Sequence, residues 1–311
     1  EEEDDVEEED GPGGSRGLIL RRDPVSSLID TERALEYRTY QAVHGTAIPV
    51  PEPLILEEDP SHLDRPFSVM REIAGCESAV AALAQPPFDG LRERIGERKW
   101  SLLGQLAAMD PGQLGVTGFM DVPDHPARRE LDYWAGVIDA DALHPQPVAQ
   151  AAIRWLRRHL PAPSARRCLV HGDYRLDNMM WHPEEPRVIA VLDWELSTLG
   201  HPLADLAYQC MQLRMPQEGG NLSGLQGKDR PALGIPTEKE YVAMYCQRRG
   251  IDHIDHWEFY LAFSFFRLAA IAQGVAKRAQ DGNASSKKAA AVGQVVEPLA
   301  QMAMRIVREG A

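Results

Sequence analysis

The sequence predicts an α+β chain of two lobes, a small strand-rich one followed by a larger helical one, and three observations carry that reading. Short apolar runs bounded by turn residues crowd the first quarter, at residues 18–20, 54–56 and 67–72. Beyond residue 91 the apolar positions recur at helical spacing instead, as with Ile95, Leu102, Leu103, Leu106 and Met109. Residues 168–206, CLVHGDYRLDNMMWHPEEPRVIAVLDWELSTLGHPLADL, interrupt the helices with strand and turn composition. This stretch reads as a strand ending in His171-Gly172-Asp173, a loop ending at Asn178, and a second strand over 188–192 that delivers Asp193. Paired as a hairpin, the two strands would project their acids from one rim.

In chain order, residues 1–17 contain no apolar side chain but Val6 and predict an acidic disordered segment. The Gly-Pro-Gly-Gly within it lies too close to the next strand to serve as a phosphate-cradling loop. Residues 18–75 make the expected small lobe. Its first strand ends in Arg21 and Arg22, and a helix over 30–43 turns Leu35, Tyr40 and Val43 inward. Ile48-Pro-Val-Pro-Glu-Pro is a stiffened, extended link to the next strands. Residues 76–311 make the helical large lobe around the catalytic hairpin 168–206. Helices are expected over 91–109, 130–138, 148–160, 202–211, 238–249, 255–280 and 285–308. Residues 214–236 are aperiodic and rich in Gly, Pro and Gln, a loop of the length that borders binding sites. Asp177 and Asp205 read as turn or cap residues, Trp134, Trp155 and Trp181 as packing residues, and His171 as a hydrogen-bonded scaffold of its loop.

Net charge is −14, and nine acids sit in the first ten residues. Such a balance argues against nucleic acid as a partner. Cys76, Cys168, Cys210 and Cys246 show no C-x-x-C spacing, which predicts buried reduced thiols and a cytoplasmic setting. No secretory leader is legible. The most apolar stretch, 259–276, is interrupted by Ser264, Arg267 and Gln273, so a buried helix is expected there and no membrane contact.

Phosphoryl transfer is mostly positioning and charge neutralisation. It needs a carboxylate to orient and deprotonate the attacking hydroxyl, and oxygens to hold Mg²⁺. Asp173 and Asn178, five positions apart, with Asp193 twenty residues after the first, supply that set. His-Gly-Asp-x-x-x-x-Asn followed by Leu-Asp-Trp-Glu resembles the catalytic and metal-binding loops of the aminoglycoside phosphotransferase and choline kinase superfamily. The longer stretches VIAVLDWELSTLGHPLADLAYQC, FYLAFSFFRLAAIAQG and DGNASS are similar to a narrower branch. That branch comprises kinase-like domains found alone in bacteria or fused to acyl-CoA dehydrogenases. The resemblance spans residues 17–308.

The resemblance implies a protein-kinase-like fold, ATP and Mg²⁺ as cofactors, and a small-molecule hydroxyl as phosphoryl acceptor. It makes Asp173 the proton acceptor, Asn178 and Asp193 the magnesium ligands, and Arg175 a stabiliser of phosphate charge. Arg21 takes the place of the strand lysine that meets the nucleotide phosphates, with Glu36 as its helix partner. Residues 71–74 fall at the hinge, where Arg71 and Ile73 would border adenine. The family's two strands and nucleotide-covering loop ahead of this point are not recognisable here, so the small lobe is expected to be truncated.

The branch resembled is associated with 4-hydroxyacyl-CoA kinases. From His201 onward Lys and Arg outnumber Asp and Glu 13 to 11. Lys228, Arg230, Arg248, Arg249, Arg267, Lys277 and Arg278 are therefore candidates to meet CoA phosphates, which favours an anionic thioester over an aminoglycoside or choline. The alternative from another class is a non-catalytic nucleotide-binding module.

Overall fold

The structure, a computed structural model, describes residues 4–10, 14–23, 33–75, 77–78, 92–140, 144–163, 166–216, 224–230, 232, 235–280 and 292–310. A four-stranded antiparallel sheet forms the small lobe, with β1 (Asp4–Asp10), β2 (Gly14–Arg22), β3 (Pro53–Glu57) and β4 (Phe67–Arg71) in the order β1-β2-β4-β3. Helix α1 (Arg33–Val43) packs against β3 and β4 and buries Tyr37, Tyr40 and Val43. Residues 30–32 of the expected helix lie outside the described residues. Register is set between β2 and β4 by Leu18 opposite Arg71 and Arg21 opposite Ser68.

The expected disordered segment over 1–17 is corrected by β1, which pairs with β2 along its whole length, from Asp4 opposite Leu20 to Asp10 opposite Gly14. Sheet pairing is made by backbone N–H and C=O groups, so an acidic strand with one apolar residue can still satisfy a sheet edge. The sequence reading weighed only what the side chains could bury. The same strand extends the small lobe upstream of residue 18, further than a lobe of 18–75 allowed. Residues 11–13, most of the glycine-rich run, lie outside the described residues.

The large lobe begins with β5 (Glu77–Ser78), followed by α2 (Arg92–Leu106), α3 (Pro126–Ala140) and α4 (Pro147–Arg158). Beyond the catalytic loops come α5 (Leu203–Arg214), α6 (Glu238–Arg249), α7 (Trp257–Gln280) and α8 (Val296–Glu309). Helix α7 is long and apolar enough to cross a membrane by length and composition, yet its residues from Phe259 to Ala270 are buried. It packs against α3, α4, α5 and α8 and forms the centre of the core. Within the helix expected over 285–308, α8 covers Val296–Glu309, after a 3-10 turn over Gly293–Val295. Pro298 is tolerated only in a first helical turn, which fixes the start beside Val296. Residues 281–291 lie outside the described residues. Cys168, Cys210 and Cys246 are buried free thiols, and Cys76 falls outside the described residues.

The catalytic hairpin is also corrected. Strand β6 (Cys168–Val170) pairs with β9 (Thr198–Gly200), while β7 (Met179–Trp181) pairs with β8 (Val188–Val191) and with β5. The three residues directly after Asn178 were given no element in the sequence reading, and they are the strand that β8 needs. Two ribbons therefore stand where one hairpin was expected. A buried side chain joins them: His171, after β6, donates Nε2–H to the Leu192 carbonyl, after β8, at 2.9 Å.

The loop after β6 is seated on α5. Asp205, buried in the first turn of that helix, accepts the His171 N–H at 2.8 Å and the Gly172 N–H at 2.9 Å, one on each carboxylate oxygen. Asp205→Ala would orphan two buried N–H groups at roughly 1–3 kcal/mol each, so a loss of about 2–5 kcal/mol is expected. The urea midpoint at constant m-value checks it. A shift under about half a kcal/mol would show that water replaces the carboxylate.

Candidate active site

Glycine at position 172 follows from the geometry of the loop. Its φ of +87° lies in the left-handed region, and a Cβ there would sit 2.3 Å from the Leu196 carbonyl oxygen. The turn carries Asp173 out of β6, and the Asp173 N–H donates to His171 Nδ1 at 3.2 Å. Asp173 is then held from both sides. Tyr208 donates its hydroxyl to Oδ1 at 2.7 Å, and Asn178 Nδ2 donates to Oδ2 and to the Asp173 carbonyl, both at 2.9 Å. Tyr208 lies three positions after Asp205, so the same face of α5 anchors the loop and fixes its carboxylate. Beneath the loop, buried Tyr174 donates its hydroxyl to the Lys99 carbonyl of α2 at 2.7 Å.

Arg175 lies 3.9 Å from Asp173 Oδ2 and 3.0 Å from Asp177 Oδ2. Burial works against its charge, but Asp173, Asp177, Tyr208 and Asp193 outweigh that and hold the guanidinium firmly protonated. On α7, Arg267 donates to the Gly172 carbonyl at 2.5 Å and lies over the rings of Trp134 and Tyr208. It is a buried brace for the loop, which removes it from the cations expected to meet phosphate.

The second acid arrives through α1. Glu36 and Tyr40 are one turn apart on the same face. Glu36 is buried and pairs with Arg21 of β2 through one oxygen and with Arg33 through the other. Tyr40 accepts the Asp193 N–H at 2.9 Å. One position before it, Thr39 reaches Ser197 Oγ at 3.0 Å, past the second acid. Arg21 in turn reaches Asp193 Oδ1 at 3.2 Å and Glu195 Oε2 at 3.6 Å. Asp193 itself has a φ of +64°, a conformation that Asp tolerates better than most residues.

Of the residues singled out in the sequence, Asp173, Asn178 and Arg175 form one cluster, and Arg21, Glu36 and Asp193 form another. The His171 bond to Leu192 ties the two together. Arg71 and Ile73 are placed at the exit of β4, with Arg71 Nε held by Glu52 Oε2 at 2.8 Å. Two residues were missed. Tyr208 was legible from its spacing to Asp205 on a helix, and Glu195 from its place two positions after Asp193.

Counted with their ion-pair partners, the two clusters hold six carboxylates, Asp23, Glu36, Asp173, Asp177, Asp193 and Glu195, against three guanidinium groups, Arg21, Arg33 and Arg175. This excess of negative charge, on hard oxygen donors, fits a divalent cation. Asn178 Nδ2 is committed to Asp173, which leaves Oδ1 as the ligand atom, and Arg21 takes only one oxygen of Asp193. Among the described residues no three His, Cys, Asp or Glu side chains could cage a metal alone. That suits Mg²⁺, which is held by one or two carboxylates together with nucleotide phosphates.

The family model described as the phosphotransferase enzyme family matches residues 8–259. A Mus musculus protein named acyl-CoA dehydrogenase family member 10 is 40% identical over 294 residues, which cover 93% of this chain and 27% of that protein. The chain thus spans about a quarter of the length of that curated relative. A Ralstonia eutropha crystal structure with a provisional aminoglycoside phosphotransferase title is 34% identical, with a TM-score of 0.82 over 99% of this chain and 94% of that one. A thermostable aminoglycoside phosphotransferase mutant in ternary complex with ADP and hygromycin B is 16% identical, with a TM-score of 0.58 over 99% and 94% of the two chains. That likeness is one of fold.

Crowding of the acids has a measurable signature. Burial first, and Asp193 second, push the Glu195 carboxyl up to about 7, against the pull of Arg21. A carboxyl raised from 4.5 favours the fold most while it is protonated, and that contribution is lost as pH rises through about 7. Glu195→Gln imitates the protonated form. Its melting temperature should match that of the parent protein at pH 5 and exceed it at pH 8, read by scanning fluorimetry. An equal difference at both pH values would place Glu195 outside this cluster.

Proposed function

The chain belongs to the phosphotransferase enzyme family, and on that footing we propose that it transfers the γ-phosphoryl group of ATP to a hydroxyl of a small molecule, a 4-hydroxyacyl-CoA. The reading rests on one observation, the joining of the Asp173–Asn178 loop to Asp193 by the buried His171 bond to Leu192. Asp173 orients the acceptor hydroxyl and takes its proton as the oxygen attacks phosphorus and the bond to ADP breaks. Asn178 Oδ1 and Asp193 would hold magnesium, which when bound neutralises charge on the phosphate oxygens. Arg21, set by Glu36, and Arg175 add fixed positive charge along the phosphate path. Tyr208 and Asn178 keep the Asp173 carboxylate in one orientation, so little reorganisation is left to the reactive step.

The acceptor is inferred from the slot beside that carboxylate. Gly172 and Tyr208 border it, and Leu196, Ala204, Phe259 and Phe263 give it an apolar wall. Glu130 is an acid on its rim, but its carboxylate is engaged by Arg129 at 2.8 Å and by the Trp134 indole N–H at 3.3 Å. A polycationic aminoglycoside or a quaternary amine would find no free carboxylate among these described lining residues. The apolar lining, next to the Tyr208 that holds Asp173, suits the apolar part of an acceptor better than a polycation. The acyl-CoA part of the mouse relative's name supports the same choice.

Asp173→Asn keeps the shape and loses the proton acceptor. Turnover should fall by roughly two to four powers of ten with little change in ATP affinity. Loss of ATP binding in proportion to rate would assign Asp173 to the nucleotide instead. ATP turnover with 4-hydroxypentanoyl-CoA, kanamycin and choline in parallel tests the acceptor. Turnover confined to either cation would overturn the thioester.

A further inference from the structure

A second chamber lies at the other end of α5. Its volume is about 660 Å³, within the range of small-molecule sites. Four cations line it, Arg214 and Arg230 with Lys239 and Arg305, against the two acids Glu238 and Glu309. Glu238 is already satisfied. Arg214 donates to both its oxygens at 2.7 Å, and the Trp257 indole N–H donates to Oε1 at 3.2 Å. That network fixes the Trp257 ring in the wall beside the apolar Val242 and Ile306.

The remaining cations are in surplus. Arg230 Nη1 is buried without a hydrogen-bond partner, which native proteins rarely leave so. Among the described residues neither Lys239 nor Arg305 is engaged in an ion pair. Surplus guanidinium and ammonium donors around an aromatic plane suit a purine carrying several phosphate groups. None of Asp173, Asn178, Asp193, Arg21 or Arg175 lines the chamber, so ATP at those acids would be a separate ligand.

Both sites share the same two helices. Tyr208 and Ala204 of α5 line the slot, and Leu213 and Arg214 line the chamber. On α7, Trp257 lines the chamber and Tyr260, one turn on, lines the slot. An elongated ligand with an apolar end and a polyphosphate end matches this arrangement. We infer that the chamber docks the 3′-phospho-ADP end of a CoA thioester whose acyl hydroxyl reaches Asp173. This rests on the hydroxyacyl-CoA reading above.

Adenosine 3′,5′-bisphosphate is the probe. Calorimetric titration of the full chain, saturated with Mg²⁺ and a non-hydrolysable ATP analogue, should show binding. Arg305→Glu, on an exposed position, should weaken it roughly tenfold or more, about the worth of one charge-assisted contact. Arg230→Ala should do the same, with circular dichroism confirming the fold. In turnover, Arg305→Glu should cut the preference in kcat/KM for 4-hydroxypentanoyl-CoA over its pantetheine thioester by a similar factor. No binding, binding abolished by the ATP analogue, or binding indifferent to both substitutions would overturn the chamber. If the bisphosphate binds as described but neither thioester is phosphorylated, the chamber stands as a nucleotide bisphosphate site and the acceptor reading alone falls.

Discussion

Everything catalytic in this chain depends on how two buried groups, the carboxylate of Asp205 and the imidazole of His171, share the work of holding one loop. Asp205 fixes the backbone of His171 and Gly172 against α5. His171 then reaches across to the carbonyl of Leu192 and, through Nδ1, back to the N–H of Asp173. A carbonyl can only accept, so Nε2 carries the proton and Nδ1 is left as the acceptor. One neutral tautomer therefore satisfies both contacts.

The small lobe is joined to this assembly through α1 as well as through Arg21 of the sheet. Glu36 holds Arg21 from β2, Tyr40 holds the backbone of Asp193, and Thr39 bonds Ser197. Three residues within a turn and a half thus set strand and metal loop relative to each other. Burial of Glu36 between Arg21 and Arg33 gives these links direction. A buried carboxylate tolerates its desolvation only when paired on both oxygens, and the pairing fixes where both guanidinium groups lie. Arg21 is thereby aimed at the acids before any phosphate arrives.

The chemistry of the site was more legible in the sequence than its architecture. Asp173, Asn178 and Asp193 are marked by residue type and spacing, and the helices by their periodicity. What the sequence hid falls under three physical causes. Backbone pairing is blind to side-chain polarity, so the acidic β1 was read as disordered. Three-residue strands carry no period, so β7 went unassigned and the two ribbons were taken for one hairpin. Charges on apolar helices are ambiguous, and Arg267 was counted among the cations that could meet CoA phosphates although it is buried against Gly172. Tyr208 and Glu195 were in plain view. They were passed over because their roles come from the direction of a helix face and from crowding, which appear only when the chain is folded.

Helix α5 gives the large lobe an electrostatic axis. Its first turn carries the buried Asp205 and its last turn Arg214, each placed where the helix dipole favours that sign. The surroundings follow the same polarity. Around the Asp173 and Asp193 loops at one end, carboxylates outnumber guanidinium groups. At the other end Arg230, Lys239 and Arg305 outnumber the acids left unpaired. An acid-rich site alone would repel a polyanionic substrate, and a cation-rich one alone would not gather magnesium. On the proposed reading, separating the two signs along one helix would let the same chain attract a metal to the reacting atoms and an anion to the far end of the substrate.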